Sequence, residues 1–221
     1  MLADVVETLR QTLLRANQST FEMLQAVRDW DKVEMEHIVE CRKTKKEQWR
    51  MQRILNSVQT YLRYSAMDKL ERKDKVLVNR FCRLLASELE QPVLFETDLP
   101  DYYTECVNEE ALWTVLHTLL EQAQRRMVDS PQYPDIDWIR FTVSDQTDKG
   151  MLTFTVSDCA GRVSLEEAER TFNLQTGESD YFTIERLDTF NCLLISNLYD
   201  GLVYIDPKYT DGRRVVINVA L

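Results

Sequence analysis

The placement of glycine and proline constrains this chain more than any other feature. The first 91 residues contain neither, and all five glycines (150, 161, 177, 201 and 212) lie in the last third. A front without helix breakers predicts long helices, and a back where turns gather predicts strands. The front bears this pattern out. Leu2, Val5, Val6, Leu9, Leu13, Ala16, Leu24 and Val27 form one helical stripe over residues 2–29. Asp29-Trp30-Asp31 marks a bend, and the charged residues 32–44 are helix-permissive, as a short extra helix or an extension. A second helix is predicted over 45–70. Its seam is Trp49, Gln52, Leu55, Val58, Leu62, Ala66 and Leu70, widened by Ile54, Tyr61 and Tyr64. Two long helices with a short connection fold back as an antiparallel hairpin. A lone hairpin buries too little surface, so two hairpins pairing into a four-helix bundle on dimerisation is the expectation.

Charge narrows the partners. The formal net charge of −10 disfavours generic nucleic-acid binding, which needs a basic surface. The one strongly basic stretch, RKTKKEQWRMQR at 42–53, reads as a solvated helix face or as a docking patch for an acidic partner. No apolar run approaches the ~18–20 residues of a membrane helix. The N-terminus carries acids where a signal peptide is basic. A cytoplasmic location follows, either for the chain alone or as the cytoplasmic part of a longer membrane-anchored protein. Cys41, Cys82, Cys106, Cys159 and Cys192 are scattered and odd in number, as free thiols of a reducing compartment are. With only His37 and His117 beside them, no metal site is expected.

Past residue 70 the pattern becomes mixed. Lys75–Glu90 reads as a helix ended by Pro92, then PVLFETDLP as a strand, with a short strand at Tyr103–Val107. From Asn108 to Arg126, Leu112, Val115, Leu116, Leu119, Leu120 and Ala123 mark one face of a long helix. Trp138–Val143 and Met151–Ser157 read as a β-hairpin turning at Lys149-Gly150. A short helix at 165–172, a polar loop at 173–186 and a helix at 187–199 follow. Two final strands, Gly201–Asp206 and Arg213–Leu221, are joined by an Asp211-Gly212 turn. The fold class is α+β: a helical hairpin domain at 1–72 and, at 73–221, a second domain of mixed helices and strands.

Three stretches carry a resemblance to a known family: NEEALWTVLHTLLEQAQRR from Asn108, LTFTVSDCAGRVSLEEAERTF from Leu152, and LLISNLYDGLVYI with DGRRVVINVAL at the end. In this order and spacing they resemble the ATP-binding domain of sensor histidine kinases, one of the GHKL-type ATPases with the Bergerat fold. The resemblance implies a dimerisation and phosphoacceptor hairpin at 1–72 and, at 73–221, an α/β sandwich with a mixed sheet covered by helices on one face. It also implies particular site residues. Thr118-Leu119-Leu120-Glu121-Gln122-Ala123 matches the box whose asparagine holds magnesium, with Gln122 in that place. Glutamine is one methylene longer, which displaces a ligand oxygen beyond what a bond of ~2.0–2.1 Å tolerates. Asp158-Cys159-Ala160-Gly161-Arg162 matches the box whose aspartate accepts the adenine amino group. Asp158 is kept, Ala160 and Arg162 fill the two glycine positions, and Gly161 lies between them. The glycine-rich phosphate loop before Leu193 has no counterpart, since no glycine occurs between 178 and 200. Glu185 and Asp188 stand there, to repel a triphosphate or to cap the helix. In the hairpin, Glu7-Thr8-Leu9-Arg10-Gln11-Thr12-Leu13 matches the phosphoacceptor motif with Glu7 in place of histidine.

Each of these residues also has a plain structural role available. Asp158 before a glycine turn is a common turn former. His37, in a charged helical stretch, is a surface residue or a relocated phosphoacceptor. The expected function is a non-catalytic, histidine kinase-like signalling or scaffold protein. It dimerises through 1–72, grips a partner such as a response-regulator receiver domain, and has no catalytic residues. Gln122, Asp158 and Gly161 are its vestigial nucleotide pocket, with no cofactor or only residual ATP and magnesium binding. The alternatives are a histidine phosphotransferase using His37, and a divergent kinase in which Gln122 holds magnesium and Glu121 or Asp158 orients water.

Overall fold

The structure, a computed structural model, describes Gln18 and residues 35–129, 138–146, 150–172 and 184–220. The helix expected at 2–29 and the Glu7 motif lie outside the described residues. So do 173–183 of the expected polar loop. The chain divides into two compact units, residues 1–62 with 179–187 and residues 63–178 with 188–221.

The first unit contains most of α1, Met35–Ser65. The charged stretch after residue 34 is therefore an extension of this helix and not a separate one. Its buried side differs from the expected seam. Ile54 is buried while Trp49 and Leu62 are exposed, at 56% and 54%. Thr44 and Ser57 are buried as well. The face is turned by about one residue, ~100° around the helix. The tyrosines and Ile54, taken from the sequence as flanking residues, lie nearer its centre. On the exposed side the Arg53 guanidinium lies over the Trp49 ring at 5.8 Å and pairs with Glu185 at 3.2 Å. The helix stops at Ser65, not 70, because Tyr64 and Leu70 are both drawn into the core of the second unit.

The second unit is an α+β sandwich. Its first element corrects the sequence reading: Asp74–Leu77 is a strand, β1, and only Val78–Ser87 is helix, α2. β1 pairs antiparallel with β3, Thr104–Val107, from Asp74 opposite Val107 to Leu77 opposite Thr104. The main sheet has five strands: β2 (Val93–Thr97), β4 (Ile139–Gln146), β5 (Met151–Asp158), β6 (Leu202–Ile205) and β7 (Arg213–Ala220). Their order is β2-β4-β5-β7-β6. β2 runs parallel to β4, and every other pair is antiparallel. β6 and β7 form the expected hairpin, but its connection spans 206–212 instead of a two-residue turn.

Alternation along the strands decides the core. Ile139, Phe141 and Val143 of β4, Leu152, Phe154 and Val156 of β5, and Val215, Ile217 and Val219 of β7 all point to one face and are buried. α3, Glu109–Asp129, packs on β4 and β5 with the six apolar residues read from the sequence, all at 2% exposure or less. α2 packs on β2. α5, Ile184–Leu198, adds Cys192, Ile195 and Leu198 to the same core. It begins three residues before the expected start. The opposite face of the sheet carries polar ties, among them Thr153 to Asn218 at 2.9 Å and Arg214 to Ser157 at 3.2 Å.

α3 is held at its N-terminus by Asn108, whose Oδ1 accepts from the Ala111 N–H at 3.0 Å as a helix cap. The Tyr199 hydroxyl donates to the Asn108 carbonyl at 2.7 Å and accepts from its N–H at 3.0 Å. Among the described residues no helix is long and apolar enough to cross a membrane.

Candidate functional site

The candidate site lies where β5 ends, β7 begins and α3 makes its last turn. Period-two alternation puts Asp158 on the same face as Leu152, Phe154 and Val156, and Arg213 on the same face as Val215 and Ile217. The register then sets Asp158 opposite Arg213. Gly212 permits this approach. Its φ is 149°, and a Cβ there would overlap the Asp158 carbonyl oxygen. Arg126, in the last turn of α3, reaches in from the helix layer.

Asp158 is 1% exposed and its carboxylate is occupied. The Arg126 Nε donates to Oδ2 at 3.2 Å, and the Arg213 Nε lies 3.4 Å from the same oxygen. Oδ1 accepts from the Ala160 N–H at 3.2 Å, the geometry of an aspartate turn. Arg126 also donates from Nη2 to the Gly161 carbonyl at 3.0 Å. One arginine thus ties the two candidate residues Asp158 and Gly161 together. Gly161 has a φ of 114°, and the space beside it is open. Arg213 is 8% exposed, and burial pushes its guanidinium down to about 10, partly offset by Asp158.

Gln122 sits one turn before Arg126 on α3, buried at 8% exposure, and its Nε2 lies 3.4 Å from the Thr189 hydroxyl of α5. Asp188 is also buried. It stands in the second turn of α5 and not in the first, so the helix-dipole role expected for it falls to Glu185. The charge of Asp188 adds to the burial that holds the Cys192 thiol far above its ordinary range. His37 belongs to α1 in the other unit. Arg162 is exposed. Among the described residues, no group of three or more His, Cys, Asp or Glu side chains is placed to hold a metal ion.

The sequence reading missed Arg126 and Arg213. A trace of Arg213 was there: it breaks the apolar parity of β7, where Val215, Ile217 and Val219 follow it on the same face.

Solved structures match this fold. The likeness to the catalytic domain of histidine kinase ThkA has a TM-score of 0.53 at 17% identity, over 66% of this chain and 94% of that one. The fold is that of a histidine kinase catalytic domain. The Acinetobacter baumannii histidine kinase AdeS matches with a TM-score of 0.60 at 14% identity, over 96% of both chains. ThkA in complex with the response regulator protein TrrA matches with 0.67 at 17% identity, over 99% of this chain. This chain spans 60% of the length of that ThkA chain. No protein-family model matches the sequence, and neither does any curated protein.

The resemblance implies that Asp158 is the base-accepting carboxylate. Here both its oxygens already have donors. An adenine amino group would have to compete for this carboxylate with Arg126 and with the Arg213 guanidinium, whose side chain is 10% exposed. Breaking such a buried pair costs about 3–5 kcal/mol, more than a single neutral hydrogen bond of about 0.5–1.5 kcal/mol returns.

Proposed function

We propose that this is a non-catalytic, histidine kinase-like signalling protein whose ATP pocket has been converted into structure. The observation that carries the reading is the occupation of Asp158 by Arg126 and Arg213. Gln122 supports it, since its amide turns toward Thr189. With no adenine acceptor and no phosphate glycines, the second unit acts as a scaffold, with residual ATP or magnesium binding at most. Residues 1–72 form the dimerisation domain, two copies making a four-helix bundle, in the cytoplasm of a bacterium. Residues 73–221 form the degenerate ATP-binding domain.

The proposed partner is a response-regulator receiver domain, in line with the TrrA complex of ThkA. The docking element is α1, where Arg42, Lys43, Lys45, Lys46, Trp49 and Arg50 are exposed together. An acidic phosphorylation pocket complements such a patch, and its encounter rate would depend on salt. Calorimetry with receiver domains from the same genome tests this. One of them should bind, and Lys45→Glu with Lys46→Glu should weaken that binding about tenfold, or ~1.4 kcal/mol. Equal binding by the charge-reversed chain, or no binding by any receiver, would refute it. His37→Ala in the same assay tests the phosphotransferase alternative, which requires phosphate to move from the receiver onto His37.

A further inference from the structure

Two guanidinium groups share one carboxylate at the end of β5 and β7. Asp158 is the only ion-pair partner of Arg213 among the described residues. The Nε and Nη2 of Arg213 are buried without a hydrogen-bond acceptor. Buried polar groups are almost always hydrogen-bonded, and a buried cation without its full set of acceptors is costly. A further carboxylate among the described residues does not fill the gap. Glu167 of α4 (Leu165–Thr171) is close enough to favour the charged form of Arg213, yet it is exposed and makes no ion pair with it. Arg126 is engaged by Asp158 and by the Gly161 carbonyl and leaves the deficit in place. Among the described residues, the ion-paired cluster holds two guanidinium groups and one carboxylate.

We propose that Arg213, backed by Arg126, is a binding site for one small oxyanion, a phosphate or carboxylate group. The guanidinium fork suits it. Its planar N–H donors match both oxyanions in a way that an ammonium does not. Arg213 is 8% exposed, so a ligand would meet it through a small part of its surface. The site would thus take a ligand opposite in kind to adenine, an acceptor in place of a donor. Its occupancy is independent of whether α1 docks a receiver.

Thermal unfolding of the full chain in sodium phosphate, sodium acetate and sodium chloride, at matched ionic strength and pH, tests this. A ligand at concentration L that binds only the folded state stabilises it by RT ln(1 + L/Kd), so Tm rises with the logarithm of ligand concentration above Kd. The expected result is such a rise in phosphate or acetate over chloride. A rise in phosphate alone identifies a phosphoryl ligand, and a rise in acetate alone a carboxylate. Arg213→Met should remove the rise while staying folded in chloride, because Arg126 and Asp158 remain a balanced pair. Arg213→Lys should keep a rise with affinity reduced about tenfold. A Tm equal in all three salts would overturn the proposal, as would a full rise in Arg213→Met. Should that variant not fold, phosphorus NMR on the wild-type chain decides for phosphate and carbon NMR on labelled acetate for carboxylate. Saturable line broadening in either supports the site, and none in both overturns it.

Discussion

Asp158 shows how a buried charge commits the groups around it. Its carboxylate balances Arg126 and Arg213, so Asp158→Ala should cost about 3–5 kcal/mol by leaving the buried Arg213 guanidinium without a counter-charge. Urea unfolding of the variant measures this, and a loss below ~1 kcal/mol would mean that water already screens the cluster. The cysteines make a second test. Burial pushes the Cys82 thiol from 9.0 up to about 12. A group whose pKa is raised on folding stabilises the protein fully below its unfolded value. That contribution is lost as pH rises from about 9 to about 12. The stability of the chain should therefore fall across this window, and Cys82→Ala should flatten the fall. In the folded chain at pH 8, the exposed Cys106 should react with iodoacetamide well before the buried Cys82 and Cys192. Equal labelling rates would contradict the burial.

At the scale of elements, long periodic segments were legible and short ones were not. The apolar face of α3 was readable because six positions repeat over many residues, and the β4–β5 hairpin because β-formers flank a glycine turn. β1 was lost inside a predicted helix. Its one buried apolar residue, Val76, continues the spacing of Val78 and Phe81, so no local signal separates the strand from α2. Its pairing with β3 decides the matter from 30 residues away. On α1 the seam was misplaced because hydropathy favoured Trp49 and Leu62. Tyr64 buries its ring, while Trp49 stacks with Arg53 on the outside. α3 also carries a test of its own. Asn108 caps it and ties it to Tyr199 and Glu71. Asn108→Ala should cost about 1 kcal/mol, the usual loss of a cap. Denaturant unfolding reads that loss, and unchanged stability would show that the Tyr199 bonds to the backbone of residue 108 suffice.

For the whole molecule, the frame and the site are legible to different degrees. Apolar periodicity carries the frame, so the order of strands and helices follows from the sequence except at β1. The site depends on register. Asp158 and Arg213 are 55 positions apart, and only β5–β7 pairing sets them face to face. The loss of the phosphate glycines was visible in the sequence, but the filling of the base acceptor by Arg126 and Arg213 was not. The central claim is that this acceptor is closed to adenine. Calorimetric titration of Mg·ATP into the full chain tests it most directly, with sulfate present so that simple anion binding at Arg213 is already satisfied. The account predicts no saturable heat up to millimolar nucleotide. Saturable binding at micromolar Mg·ATP would contradict it, because it would require the nucleotide to take Asp158 from its two arginines.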